Sequence, residues 1–282
     1  MPWVPLLFVV GAVSQYLGAA IGVFLFDTTE PSTVAWLRVA TAAALLCAWR
    51  RPWRLPWTRR GLAAAGCFGL ITAGMNIAIY EAIARIPLGT AVAIEFLGPV
   101  LVAALGFRHR RDVIAVVLVC AGVILLAGVQ LDASWLGVAF ALASAAMWAG
   151  YIVMGKIVAD AGQGLDSLAV GMAIAAVFIA PAIITGQARA DASVFLDART
   201  WLLGAGIGVL STAIPYVLDQ LVLARGGRAR FALLLSLLPT TAAVVGAVVL
   251  LQLPTAAEIV GIALVIAALV VGARPTEAGP PA

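Results

Sequence analysis

Glu95 sits among Ala91, Val92, Ile94 and Phe96, eight residues into an apolar run that begins near Pro87. At 1.5 Å per residue that is a depth of about 12 Å. A carboxylate there costs on the order of 2.5–3.5 kcal/mol on insertion scales unless it is paired, protonated or wetted. Such a group can bind an ammonium or carry a proton, and its alternative is a hydrogen-bonded structural acid. Arg38 is the one basic residue well inside an apolar run. It can pair with Glu95, meet a carboxylate as the second pole of a zwitterion site, or snorkel to the interface.

Polar residues recur around these two. Thr72, Asn76 and Tyr80 are four apart and share one helical face, and Thr212, Tyr216 and Gln220 repeat that spacing 140 residues later. The spacing predicts two rows facing a central cavity that holds a small polar solute, with interhelical hydrogen bonding as the alternative. Trp148, with Tyr151, is a candidate cavity wall or a packing residue. Asp219 lies on a stripe with Ser211 and Pro215. It is a gate or proton relay, or a member of a terminal ion network with Arg225 and Arg228. Pro99, Pro215 and Pro239 fall inside apolar runs, where each frees a carbonyl four residues upstream; they mark helix kinks or ordinary packed prolines. Glu81 and Arg85 read as a surface pair. Lone His109 and the scattered Cys47, Cys67 and Cys120 match no metal site.

The elements that must position these groups follow from composition. Of 282 residues, 64% are hydrophobic and 11% charged, with a mean hydropathy of +1.12, which excludes an ordinary soluble domain. Apolar runs at about 3–25, 33–49, 61–80, 87–106, 111–129, 134–155, 167–185, 200–222, 230–251 and 256–272 predict ten helices in the lipid bilayer, an all-α polytopic membrane protein. The first run has no basic leader and reads as a retained span rather than a signal peptide. Thirteen of the 17 basic residues fall on connections of one side, which predicts both termini in the cytoplasm. Because the arginines lie on those connections, the net charge of +4 does not suggest a nucleic-acid partner. Trp3, Trp36, Trp53, Trp57 and Trp201 are expected as interface anchors.

Sliding the chain by 140 residues aligns Gly66 with Gly206, Thr72 with Thr212, Arg85 with Arg225, Pro99 with Pro239 and Gly106 with Gly246. Five spans per half is an odd number, so the second half enters the bilayer from the opposite side. This predicts two inverted five-helix repeats, 1–130 and 131–273, and a short cytoplasmic tail, 274–282. Such an architecture suits alternating access.

The stretches Trp36–Leu37–Arg38, Gly74–Met75–Asn76, IPLGTAVAIEFLGP ending at Pro99, MWAGYI around Trp148 and STAIPY from Ser211 to Tyr216 carry a resemblance. The chain resembles the drug/metabolite transporter superfamily, in its EamA branch, and within that the inner-membrane threonine/homoserine exporter group. The resemblance implies a bacterial plasma-membrane carrier that exports small amino acids or related metabolites, coupled to a proton gradient and without a cofactor. The family's pattern bears on Arg38, Asn76, Glu95, Pro99, Pro215 and Tyr216. The chain departs from that pattern in having Leu238 before Pro239 where the group has Glu. It also has Leu250–Leu251–Gln252 where the group ends its ninth helix on Gly-Glu. The alternatives are an exporter of other metabolites or drugs, a membrane-embedded enzyme using Glu95, Asp219 and Tyr216, and a passive channel-like protein. A homodimer is left open. Against the enzyme, the sequence has no nucleophile–His pair, metal-ligand cluster or nucleotide loop.

Overall fold

The computed structural model describes residues 3–104, 109–161, 164–215, 218, 221–222, 225, 231 and 233–273, without the side chains of 131–133. All its regular elements are helical. They are α1 (Trp3–Leu25), α2 (Pro31–Arg50), α3 (Arg59–Ile83), α4 (Leu88–Glu95) and α5 (Leu97–Ala104). The stretch Arg110–Asp160 is broken at Ser134, where φ is −162° and ψ 84°, into α6 (Arg110–Gln130) and α7 (Ser134–Asp160). There follow α8 (Gly164–Asp191), α9 (Ala198–Gly208), a π turn (Val209–Ala213), α10 (Leu237–Val249) and α11 (Ala256–Gly272).

Six of the described helical segments are long and apolar enough to cross a bilayer: α1, α2, α3, α6, α7 and α8 extended to Leu196. Three shorter apolar stretches accompany them, Leu88–Ala104, α10 and α11. The expected span at 200–222 is described through α9 and the π turn to Pro215 and only piecemeal beyond. The chain is an all-α polytopic membrane protein. Spans expected at 134–155 and 167–185 run longer, to Asp160 and Asp191. Lys156 and Asp160, four apart, hold the end of α7 at 2.7 Å.

Local chemistry sets the ends. Pro31 opens α2 at a position where its missing N–H costs nothing. The Thr58 hydroxyl accepts from Gly61 N at the start of α3, and Thr255 with Glu258 forms a capping box at α11. In a bilayer, lipid is as apolar as leucine, so close backbone approach rather than hydrophobic contrast joins the helices. A side chain at Gly69 in α3 would collide with the Gly171 carbonyl of α8, and one at Gly98 in α5 with the Ala145 carbonyl of α7. Trp36 is no interface anchor: it is buried, and its indole donates to the Ala176 carbonyl at 2.8 Å, fastening α2 to α8. Trp53, by contrast, is two-thirds exposed.

Candidate functional site

The fourth span is broken beside its acid. Pro99 has no N–H, so the Glu95 carbonyl loses its helical donor, and the helix is interrupted at Phe96 between α4 and α5. Glu95 is 9% exposed and faces α7, where the Ser144 hydroxyl lies 2.5 Å from its Oε1. The same hydroxyl lies 3.1 Å from the Met75 carbonyl of α3. It has one hydrogen for two acceptors. With Glu95 ionised, Ser144 donates to the carboxylate; with Glu95 protonated, the acid can donate to Ser144, whose own hydrogen then goes to Met75.

Arg38 is set by a second proline. Ile214 closes the π turn by donating to Val209, five residues back. Pro215 cannot donate, so neither the Leu210 carbonyl in π register nor the Ser211 carbonyl in α register receives a helical bond from it. The Ser14 hydroxyl of α1 donates to Leu210 at 2.8 Å, and Arg38 Nη2 donates to Ser211 at 3.1 Å. Arg38 Nε also donates to Thr212 Oγ1 at 3.3 Å. The Ser211 hydroxyl completes the seam by donating to the Gln15 carbonyl at 2.9 Å. The guanidinium stands 5.8 Å from the centroid of the Tyr80 ring.

These groups meet in one cavity of about 100 Å³. α1 contributes Gln15 and Tyr16, α2 Arg38, α3 Met75, Asn76 and Tyr80, α4 Val92 and Glu95, and α7 Trp148, which packs edge-on against Phe96. The volume holds about three waters at roughly 30 Å³ each, so a larger solute requires the walls to part. Arg38 and Glu95 face this space as opposite charges without an ion pair between them. The Tyr80 hydroxyl, buried near Arg38 and Ser211, has no well-formed hydrogen bond.

The rows expected from spacing are only partly assembled. Asn76 and Tyr80 line the cavity, whereas Thr72 turns its hydroxyl onto the Phe68 carbonyl of its own helix at 2.7 Å. Thr212 serves Arg38. Tyr216, Asp219 and Gln220 lie outside the described residues. Tyr151 stacks on Phe68 rather than lining the cavity. Pro239 follows a non-α turn at Leu235–Ser236, as Pro99 follows Phe96. Glu81 and Arg85 form an i,i+4 pair at 2.5 Å. Charge and four-residue spacing do not single out Gln15, Tyr16 and Ser144. Ser14–Gln15–Tyr16 interrupts an apolar run, and Ser144 shares a helical face with Trp148, so both signals were present.

Two fastenings flank the cavity. Buried Glu258 accepts from Thr90 of α4 at 2.8 Å, from Gln130 of α6 at 2.9 Å and from Thr255. Beside it Gln252 Oε1 accepts from Leu88 N at 2.9 Å, capping α4. At the opposite end of the helices, Arg50 of α2 makes two bonds to Asp166 of α8, at 3.0 and 2.9 Å. Among the described residues no three His, Cys, Asp or Glu side chains come together as a metal site.

Comparison with known proteins agrees with this architecture. The EamA-like transporter family matches residues 135–272. The chain is 36% identical over 272 residues to the threonine/homoserine exporter RhtA of Salmonella typhimurium (strain LT2), covering 94% of this chain and 90% of that protein. It is 34% identical to RhtA of Escherichia coli (strain K12), with the same coverage. A crystal structure at 18% identity shares the fold, with a TM-score of 0.58 over 95% of this chain and 94% of that one. Similarity at this level across nearly the whole length means that the chain belongs to the EamA-like transporter family, a family of transporters and not of enzymes.

Proposed function

We propose that this protein is a proton-coupled secondary exporter of small amino acids such as threonine and homoserine, working in the bacterial inner membrane with both termini in the cytoplasm. The observation that carries the reading is the placement of Glu95 and Arg38 on one buried cavity beside the broken fourth span. A zwitterion presents an ammonium and a carboxylate, and the two side chains supply an opposite charge for each. Between those poles Asn76 and Tyr80 offer an amide and a hydroxyl, and Trp148 closes the side. Thr212 positions Arg38, and Thr72 packs. Tyr216, Asp219 and Gln220 belong to the same proposal as the opposite wall. The identity to the threonine/homoserine exporters supports the substrate class.

The ten spans form two inverted repeats, 1–130 and 131–273, followed by the tail 274–282. Matched breaks support this: the fourth span is interrupted at Phe96, three residues before Pro99, and the ninth at Leu235–Ser236, which ends three residues before Pro239. Exchanging the conformations of the two halves opens the cavity to either side in turn. One proton on Glu95 cancels the charge that holds the ammonium, so a bound proton and a bound substrate exclude each other at that carboxylate, and proton uptake accompanies substrate release.

Proteoliposome flux tests the reading. Threonine or homoserine should accumulate when a pH gradient is imposed and only equilibrate without one. Glu95→Gln should insert normally and lose gradient-driven accumulation by at least about tenfold, the effect of removing an interaction worth about 1.4 kcal/mol. Flux no greater than that of empty liposomes for every small amino acid would reject the substrate class, and accumulation unchanged in Glu95→Gln would reject the coupling role. Dissipative flux alone would mark a channel.

A further inference from the structure

A groove of about 600 Å³ runs along the outside of the bundle between α2 and α8. Its walls are shallow because alanines face each other across it, Ala40, Ala43 and Ala44 on α2 and Ala176 and Ala180 on α8. Along α2 it extends from Trp36 to Cys47, eleven residues or about 16 Å. That is about half of a hydrocarbon core roughly 30 Å thick, one leaflet's depth. The groove ends on α2 at Cys47, and the next residue, Ala48, lines a second recess of about 520 Å³ together with Arg50, Arg51, Arg54 and Asp166.

The charges of this recess do not cancel. Arg50 is held in two bonds by Asp166. Arg51 and Arg54 are exposed and make no ion pair among the described residues. Trp53, 66% exposed between them, is the kind of side chain that sits at headgroup level. The site therefore offers a chain-wide apolar slot ending at two uncommitted guanidiniums, at the depth where a lipid phosphate lies.

We propose that the α2–α8 groove and the Arg51–Arg54 recess together form a binding site for one anionic glycerophospholipid, one acyl chain in the groove and its phosphate on the two arginines. This site lies on the outside of the bundle and shares no lining residue with the central cavity. Bound there, the lipid bridges the same ends of α2 and α8 that Arg50 and Asp166 join.

The full-length protein, delipidated in a non-ionic detergent, would be titrated with phosphatidylglycerol, with phosphatidylcholine of identical chains, and with glycerol phosphate, and bound ligand counted by native mass spectrometry. Phosphatidylglycerol should bind roughly thirtyfold tighter than phosphatidylcholine, the preference that two interfacial arginines supply at about 1 kcal/mol each. The double variant Arg51→Gln/Arg54→Gln should lose that preference and bind the two lipids with equal affinity. Ala44→Leu, which fills the groove from an exposed position, should weaken both lipids and leave glycerol phosphate unaffected. Equal affinity for the two lipids in the unmodified protein would overturn the proposal, as would a preference that survives the double arginine variant. Glycerol phosphate binding as tightly as phosphatidylglycerol would show an anion site without the acyl slot, which also overturns it.

Discussion

Arg38 and Pro215 are linked through the Ser211 carbonyl, which one of them leaves bare and the other satisfies. Lysine cannot reproduce the two-pronged contact to Ser211 and Thr212, so Arg38→Lys should lower unfolding stability in detergent by about 1–2 kcal/mol. Pro215→Ala restores an N–H four residues beyond Ser211, and in that background the cost of Arg38→Lys should shrink by about 1 kcal/mol. A double-mutant cycle read by denaturant unfolding measures this; strict additivity would show that the proline and the arginine act separately. Ser144 invites a second substitution. Ser144→Ala removes the hydroxyl shared between Glu95 and Met75 and should reduce gradient-driven threonine flux by about tenfold, the scale of a lost hydrogen bond to a charged group. Ser144→Thr, which keeps the hydroxyl, should retain most of it, and equal losses in the two variants would mean packing and not hydrogen bonding.

The same residues show what a linear reading can find. Glu95 and Arg38 stand out because ionic groups in an apolar run are expensive, and the cost itself is the signal. Ser144 carries no such cost, since a serine in a membrane helix can bond its own backbone, so its partnership with Glu95 appears only when α4 and α7 are brought together. Thr72 fails in the opposite direction. Its four-residue spacing from Asn76 is correct, but its hydroxyl reaches the Phe68 carbonyl of its own helix, an outcome that spacing does not distinguish from a cavity wall.

Among the elements, the short ones carry the site. Proline positions leave the fourth span open to a kink or to ordinary packing, and the structure interrupts the helix at Phe96. The π turn at Val209–Ala213 is beyond prediction, because a π register depends on neighbours that donate to the displaced carbonyls, here Ser14 and Arg38. The end of α10 shows how a family departure is accommodated. Leu251 adopts φ 56°, left-handed backbone in which a leucine is strained by about 1–2 kcal/mol and a glycine is not. Gln252, next to it, still supplies the acceptor that caps α4. Because Leu251 is 81% exposed and gives up little packing, Leu251→Gly should be neutral or stabilising by up to about 1 kcal/mol, after the glycine's own entropy cost. Leu251→Val should destabilise by about 1 kcal/mol, since a branched Cβ fits that conformation worst. Thermal unfolding in detergent checks both; a glycine variant markedly less stable than leucine would mean that the Leu251 side chain makes contacts that outweigh the strain.

Across the whole molecule, composition and the periodicity of apolar runs were enough for the membrane fold, because each span must satisfy its backbone internally and repeats that requirement along the chain. Which helices touch was not legible, since small residues are common everywhere, and only coordinates show that Gly69 meets Gly171. Tertiary ties can still be tested at a distance from the cavity. Arg50→Asp should impair both stability and flux, and Arg50→Asp/Asp166→Arg should restore at least half of what is lost. Failure of the exchanged pair to recover either measure would show that the contact between α2 and α8 depends on more than charge.

The two ends of the bundle are secured by unlike materials. Around Glu258 the bonds are buried and shared among α4, α6 and α11, whereas Arg50 meets Asp166 with its side chain 37% exposed. Mobile ions screen exposed pairs and hardly reach buried ones. Salt added at the Arg50 side should therefore weaken that fastening more than the one around Glu258, so the two ends are expected to differ in how far ionic strength loosens them.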